Sequence, residues 1–149
     1  MRKKLLTILL IISIFLVTGC TTKESLDQNQ FKNTMTAKQF QITDMTSLAI
    51  QSNKGVEYCH YATTQDGRYT IEYYSFDSEM SAQAFYAQKQ VELTSTGAQA
   101  STELNSGNFS KYAQNFKGKY SVISRVSNTV VFVNANSDYQ QEIKELLKE

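Results

Sequence analysis

The sequence predicts an α+β domain: one antiparallel sheet of about five strands, a hairpin plus a three-stranded meander, with helices mainly on one face. Strand-like segments rich in tyrosine, valine, isoleucine and threonine come in runs rather than singly between helices, and that order favours antiparallel pairing over parallel βαβ units. Tight-turn signals, Gln65-Asp66-Gly67 and Lys117-Gly118, separate members of these runs. Segments with apolar residues three and four apart bracket the runs.

In chain order, Phe31–Lys38 predicts a first helix with Phe31 and Met35 on one face. Phe40 and Ile42 alternate with glutamines in a short extended piece, and Thr46–Ser52 suits a further turn or two of helix carrying Leu48 and Ile50, closed by Asn53-Lys54-Gly55. Val56–Thr64 and Arg68–Phe76 form the hairpin. Ser78 is a plausible N-cap for a helix over Glu79–Leu93, where Ala82, Phe85, Tyr86 and Lys89 recur at helical spacing. Thr94–Gly107 is polar and predicts a loop with at most a short strand around Glu103. Phe109–Phe116, Lys119–Ser127 and Thr129–Asn134 make the meander. Thr129–Asn134 is apolar on both faces, through Val131 and Val133 against Val130 and Phe132, which places it centrally in the sheet. Ser137 or Asp138 caps a last helix to Lys148, with Ile143, Leu146 and Leu147 on its apolar stripe.

Ahead of this domain stands Met1–Cys20, MRKKLLTILLIISIFLVTGC. Arg2, Lys3 and Lys4 precede an apolar run from Leu5 to Val17 of about 13 residues, shorter than the about 20 a membrane-spanning helix needs but suited to a signal-peptide core. Val17-Thr18-Gly19-Cys20 resembles the lipobox of bacterial lipoprotein precursors. That resemblance implies diacylation of the Cys20 sulfur, cleavage before it, and a lipid anchor on the extracytoplasmic face of the cell membrane. Two acyl chains give stable attachment where one is marginal. The chain thus divides into a signal peptide over 1–19, the lipidated cysteine and a polar tether over 20–30, and one domain over 31–149. As a flexible chain, Thr21–Gln30 would span about 15–20 Å.

Removal of Arg2, Lys3 and Lys4 with the signal takes the formal charge from +1 to about −2, a balance that disfavours nucleic acid as a partner. The remaining chain of about 130 residues is long enough to bury a core without a metal or disulfide. With Cys20 committed to lipid, Cys59 has no partner within the chain.

Candidate chemistries are few. Cys59-His60 holds the other cysteine and the one histidine, but neighbours in a strand point to opposite faces and cannot form a nucleophile–base pair. One histidine and one cysteine without clustered carboxylates make no metal site, and no phosphate-binding glycine loop is present. No catalytic residue, cofactor or metal is therefore predicted. Tyrosines crowd the first hairpin (Tyr58, Tyr61, Tyr69, Tyr73, Tyr74), with Tyr112 and Tyr120 on the meander. They suit either a half-buried sheet or a recognition surface. Lys111, Lys117 and Lys119 suit an anionic partner or, more simply, protection of a sheet edge. Arg125, inside a strand, calls for a carboxylate such as Glu72 if it is buried.

Ile71-Glu72-Tyr73-Tyr74, the helix with Ala82 and Phe85, and Tyr120 with Arg125-Val126-Ser127-Asn128-Thr129 resemble small Gram-positive lipoproteins of unknown function. The resemblance covers most of Phe31–Lys148 and implies no substrate. The expected function is a lipid-anchored, non-enzymatic binding module for a protein or glycan partner of the envelope, through a sheet face or hairpin edge. The competing expectation is an envelope glycan hydrolase using carboxylates such as Glu57, Glu72 or Asp77.

Overall fold

The computed structural model describes residues 22–98 and 100–147. The expected signal peptide over 1–19, Cys20 and the expected end of the last helix at Lys148 lie outside them. Its elements run α1 (Gln28–Ala37), β1 (Gln41–Asp44), α2 (Thr46–Ser52), β2 (Val56–Thr63), β3 (Thr70–Phe76), α3 (Glu79–Thr94), β4 (Ala100–Ser106), β5 (Phe109–Phe116), β6 (Lys119–Val126), β7 (Thr129–Asn136), a 3₁₀ turn (Ser137–Tyr139) and α4 (Gln140–Leu146). All seven strands form one antiparallel sheet in the order β1-β2-β3-β7-β6-β5-β4. Two meanders, β1–β3 and β4–β7, therefore meet at the β3–β7 seam, and α3 carries the chain from β3 to the far edge. The strand with two apolar faces, β7, is central, as its composition requires.

The count of about five strands is corrected to seven. Both additions, β1 and β4, are edge strands. An edge strand needs little apolar alternation, so the sequence of Ala100–Ser106 reads as loop although its backbone pairs with β5 from Ala100↔Gln114 to Ser106↔Phe109.

Helices cover both faces of the sheet, not mainly one. On one face α1 and α4 bury Phe31, Met35, Ile71, Tyr73, Val122, Val133 and Ile143. On the other, α2 and α3 bury Ala49, Cys59, Tyr74, Phe76, Phe85, Ile123 and Val130. The cause is legible in β3 itself. Ile71 and Tyr73 point one way, Tyr74 and Phe76 the other, and all four are buried, so two covering layers are needed to keep water off them.

The folded part begins before Phe31. Asp27 accepts hydrogen bonds from the backbone N–H of Asn29 and Gln30, while Gln30 Oε1 accepts from the Asp27 N–H at 2.8 Å. This reciprocal cap starts the helix at Gln28. Farther back, Asn108 grips the backbone of Lys23 from both sides: Lys23 N–H donates to Asn108 Oδ1 (3.2 Å) and Asn108 Nδ2 donates to Lys23 O (2.7 Å). The Tyr73 hydroxyl donates to Leu26 O at 2.9 Å. Lys23–Gln30 is thus laid against the domain rather than free as a tether.

At the same end of the sheet the turn before β2 passes very close to α3. A Cβ on Gly55 would stand 2.6 Å from Ser81 Oγ, and its φ of +81° also favours glycine.

Candidate functional site

The face under α2 and α3 is incompletely covered. α2 lies over β2, and α3 crosses β3, β7 and β6. Register places Cys59, Tyr74, Val130 and Arg125 in one cross-strand row, and all four are buried. The next row on this face, Tyr61, Glu72 and Phe132, is only half-buried. That row is the floor of a strip open between the two helices.

A cavity of about 190 Å³ adjoins it, lined by Met45, Leu48, Ala49, Cys59, Tyr61 and Tyr74, with Ser52 and Asn53 at its rim. Leu48 is 58% exposed and Ile50 53% exposed, whereas Ala49 is the buried residue of α2. Across the strip, Lys89 of α3 sits with its Nζ 5.7 Å from the centre of the Phe132 ring and 2.9 Å from Glu92 Oε2. Glu72 Oε2 accepts from the Tyr74 hydroxyl at 2.6 Å, and the Tyr61 and Tyr74 hydroxyls are 3.4 Å apart.

The thiol and the two phenols here are held protonated. Burial pushes the Cys59 thiol up to about 12, with the Glu72 charge adding to it. Burial also raises the Tyr61 and Tyr74 phenols, and for Tyr74 the hydrogen bond to Glu72 adds to the effect. A thiol reacts through its thiolate, so Cys59 is a poor nucleophile in this setting, and the strip presents hydroxyl donors, one carboxylate and apolar surface.

A larger groove, about 300 Å³, opens at the β2–β3 hairpin tip between Lys38, Phe40, Asp66, Arg68 and Glu142. Three of its charges already serve one another: Arg68 Nε lies 2.6 Å from Asp66 Oδ2 and its Nη1 3.3 Å from Glu142 Oε2, while Tyr69 donates to Glu142 Oε1 at 2.7 Å. The smaller strip, with exposed apolar groups beside it, is the better candidate.

The residues singled out in the sequence are placed as follows. Cys59 and His60 face opposite cores, as strand geometry predicts: Cys59 packs with Tyr74 and Phe76, whereas His60 bonds Gln28 Oε1 at 3.1 Å and stacks near Tyr73. Glu72 is set apart from Asp77, and Glu57 lies in the β2 bulge opposite Ser75–Phe76, four residues along β2 from Tyr61, the cross-strand partner of Glu72. Glu72 and Asp77 lie roughly 17 Å apart along an extended strand, well beyond the about 5–9.5 Å that separates the carboxyls of glycosidases. Asp77 is occupied by Ser78 Oγ at 3.0 Å.

Arg125 is buried, but its expected pairing with Glu72 is overturned. Its guanidinium instead donates to Ser127 O (3.2 Å), Ser110 Oγ (3.2 Å) and Gly107 O (3.5 Å), tying two neighbouring turns together. The lysines do not guard an edge either. β5 and β6 are interior strands; Lys111 is buried, Lys117 lies in the exposed turn between them and Lys119 follows it. Among the described residues no cluster of histidine, cysteine and carboxylate could hold a metal ion, and no helix is long and apolar enough to cross a membrane. Phe132 is the member of the strip that sequence reading missed, because its place beside Glu72 depends on β3–β7 pairing across a long stretch of chain.

No protein-family model matches this chain, and a search of curated proteins finds no match.

Proposed function

We propose that the chain is a lipid-anchored, non-enzymatic binding module at the outer face of the cell membrane, and that it takes an envelope protein partner through the strip between α2 and α3. The observation that carries the reading is the half-open row Tyr61–Glu72–Phe132, flanked by the exposed Leu48. Large apolar side chains left in water beside aromatic and charged groups are a feature of recognition surfaces. Leu48 and Met45 favour a protein partner over a glycan, since a sugar would use the aromatic rings and the carboxylate without needing two aliphatic neighbours. Lipid on Cys20 accounts for the cationic head, apolar run and Val17-Thr18-Gly19-Cys20 sequence together.

The test is in-cell crosslinking and pull-down of the tagged protein, with Cys20→Ala as the unanchored control and Leu48→Lys as the surface control. A partner recovered with the wild type, and lost with Leu48→Lys while that variant stays folded, supports the module. Recovery that is indifferent to Leu48→Lys moves binding away from the strip, and an empty pull-down from wild-type cells overturns the reading.

A further inference from the structure

We infer that the end of the sheet carrying the Gly107–Asn108 and Ser127–Asn128 turns faces the lipid headgroups. The hairpin tip at Gln65–Arg68 then points away from the bilayer. This rests on the reading that Cys20 carries the lipid.

Three peptide units separate Cys20 from Lys23, a reach of at most about 11 Å even when fully extended. Lys23 is fixed at the Asn108 corner by the two-sided backbone grip, and its Nζ lies 3.9 Å from the centre of the Phe109 ring. The anchor therefore enters the domain at one corner of the sheet, with little slack.

That corner belongs to a rigid edge. Ser127 N–H donates to Asn108 O at 2.7 Å, and Asn108 Nδ2 bonds Ser127 Oγ at 3.1 Å. Arg125 ties the same two turns from inside. Asn128 then holds Phe76 in both directions, through Phe76 N–H to Asn128 O and Asn128 Nδ2 to Phe76 O, each at 2.9 Å. Asp77 N–H reaches Gly55 O at 2.8 Å. Hydrogen bonds thus run from Lys23 across the end of the sheet to the Asn53–Gly55 turn, so a pull on the anchor is transmitted to the whole end rather than to one loop. Lys23 and the exposed Lys54 can meet headgroup phosphates there. An eight-residue strand such as β5 is about 26 Å long, so the hairpin tip stands beyond the reach of the headgroups, and the strip between α2 and α3 opens sideways above the membrane.

The experiment uses the full lipidated protein in vesicles of phosphatidylcholine and phosphatidylglycerol carrying a headgroup-attached quencher. A fluorophore is placed on Lys54→Cys or Ser106→Cys at the near end, or on Gln65→Cys at the far end. Cys59 is buried and Cys20 is blocked by its lipid. The expected result is several-fold stronger quenching at positions 54 and 106 than at 65. Asn108→Ala, with a native circular dichroism spectrum, narrows that difference while the Cys20 lipid stays in place. Equal quenching at both ends, with a diacylated N-terminal peptide confirmed by mass, overturns the orientation alone. An unmodified Cys20 in the mass spectrum overturns both the orientation and the anchoring on which it rests.

Discussion

Glu72 and Tyr74 stand on the same face of β3, and the Tyr74 hydroxyl donates to Glu72 Oε2 across 2.6 Å. The pair links a buried phenol to the half-exposed carboxylate of the candidate strip. Glu72→Gln keeps an acceptor for Tyr74 and is expected to change stability little. Glu72→Ala leaves the buried hydroxyl only the longer 3.4 Å contact with the Tyr61 hydroxyl and costs about 1–3 kcal/mol. Urea unfolding of the two variants reads the difference; equal losses would show that Tyr74 does not depend on this acceptor. If the strip binds its partner through the carboxylate, Glu72→Gln also lowers partner capture while leaving the unfolding midpoint in place.

Cys59 is expected to be inert in the native protein. Its thiol stands at about 12 against an ordinary 9.0, so the thiolate fraction near neutral pH is roughly a thousandfold below that of an unfolded chain. In a Cys20→Ala background, iodoacetamide should alkylate Cys59 only after denaturation. Rapid labelling of the native protein would show that the cavity beside α2 opens far enough to hydrate the thiol.

His60 makes the fold sensitive to mild acid. Its Nε2–H bonds Gln28 Oε1, while Nδ1 is buried with no partner among the described residues. A proton added at Nδ1 would therefore create an unsatisfied buried charge. Burial is the main cause that lowers its pKa below the ordinary 6.5, helped slightly by Lys32 of α1 and opposed by Asp44 of β1. Because the folded value is the lower one, the unfolded chain binds more protons in the window just below 6.5. Stability is fully present above that pH and falls as pH drops toward the folded value. Thermal unfolding from pH 7.5 to 5 should show this slope in the wild type, and His60→Gln should flatten it. A variant with the wild-type slope would assign the acid sensitivity to another group.

The parts of this architecture visible in the sequence are those whose signals are local. The Gln65-Asp66-Gly67 turn, the spacing of Ala82, Phe85 and Tyr86, and the two apolar faces of Thr129–Asn134 each follow from neighbours within a few residues. The D-x-x-Q box at Asp27 and Gln30 was also local, and it would have moved the first helix back to Gln28. The edge strands were hidden because Gln41–Asp44 and Ala100–Ser106 pair on one side only and can stay polar. The candidate strip was hidden for a different reason. Tyr61, Glu72 and Phe132 become neighbours only through the β2–β3 and β3–β7 registers, and a one-residue slip in either would turn part of the row to the opposite face. The grip of Asn108 on Lys23 joins residues 85 positions apart, with nothing in either local sequence to mark it.

Tyr86 and Tyr74 should respond oppositely to loss of their hydroxyls. Tyr86 of α3 and Tyr74 of β3 are both buried in the core on this face, but Tyr74 has Glu72 as acceptor, whereas Tyr86 Oη and the nearby Arg125 Nε have no partner among the described residues. A buried hydroxyl without a partner is a net cost relative to a phenyl ring. Tyr86→Phe is therefore expected to be neutral or stabilising by up to about 1 kcal/mol, while Tyr74→Phe loses about 1 kcal/mol. Arg125→Lys gives the internal comparison. One ammonium cannot reach Ser127 O, Gly107 O and Ser110 Oγ as the guanidinium does, and the loss should be about 2 kcal/mol or more. Urea midpoints for the three variants test the set. A loss for Tyr86→Phe as large as that for Tyr74→Phe would mean that the Tyr86 hydroxyl is satisfied after all, by water held between it and Arg125, and the guanidinium would then be part of a hydrated network rather than a dry staple between two turns.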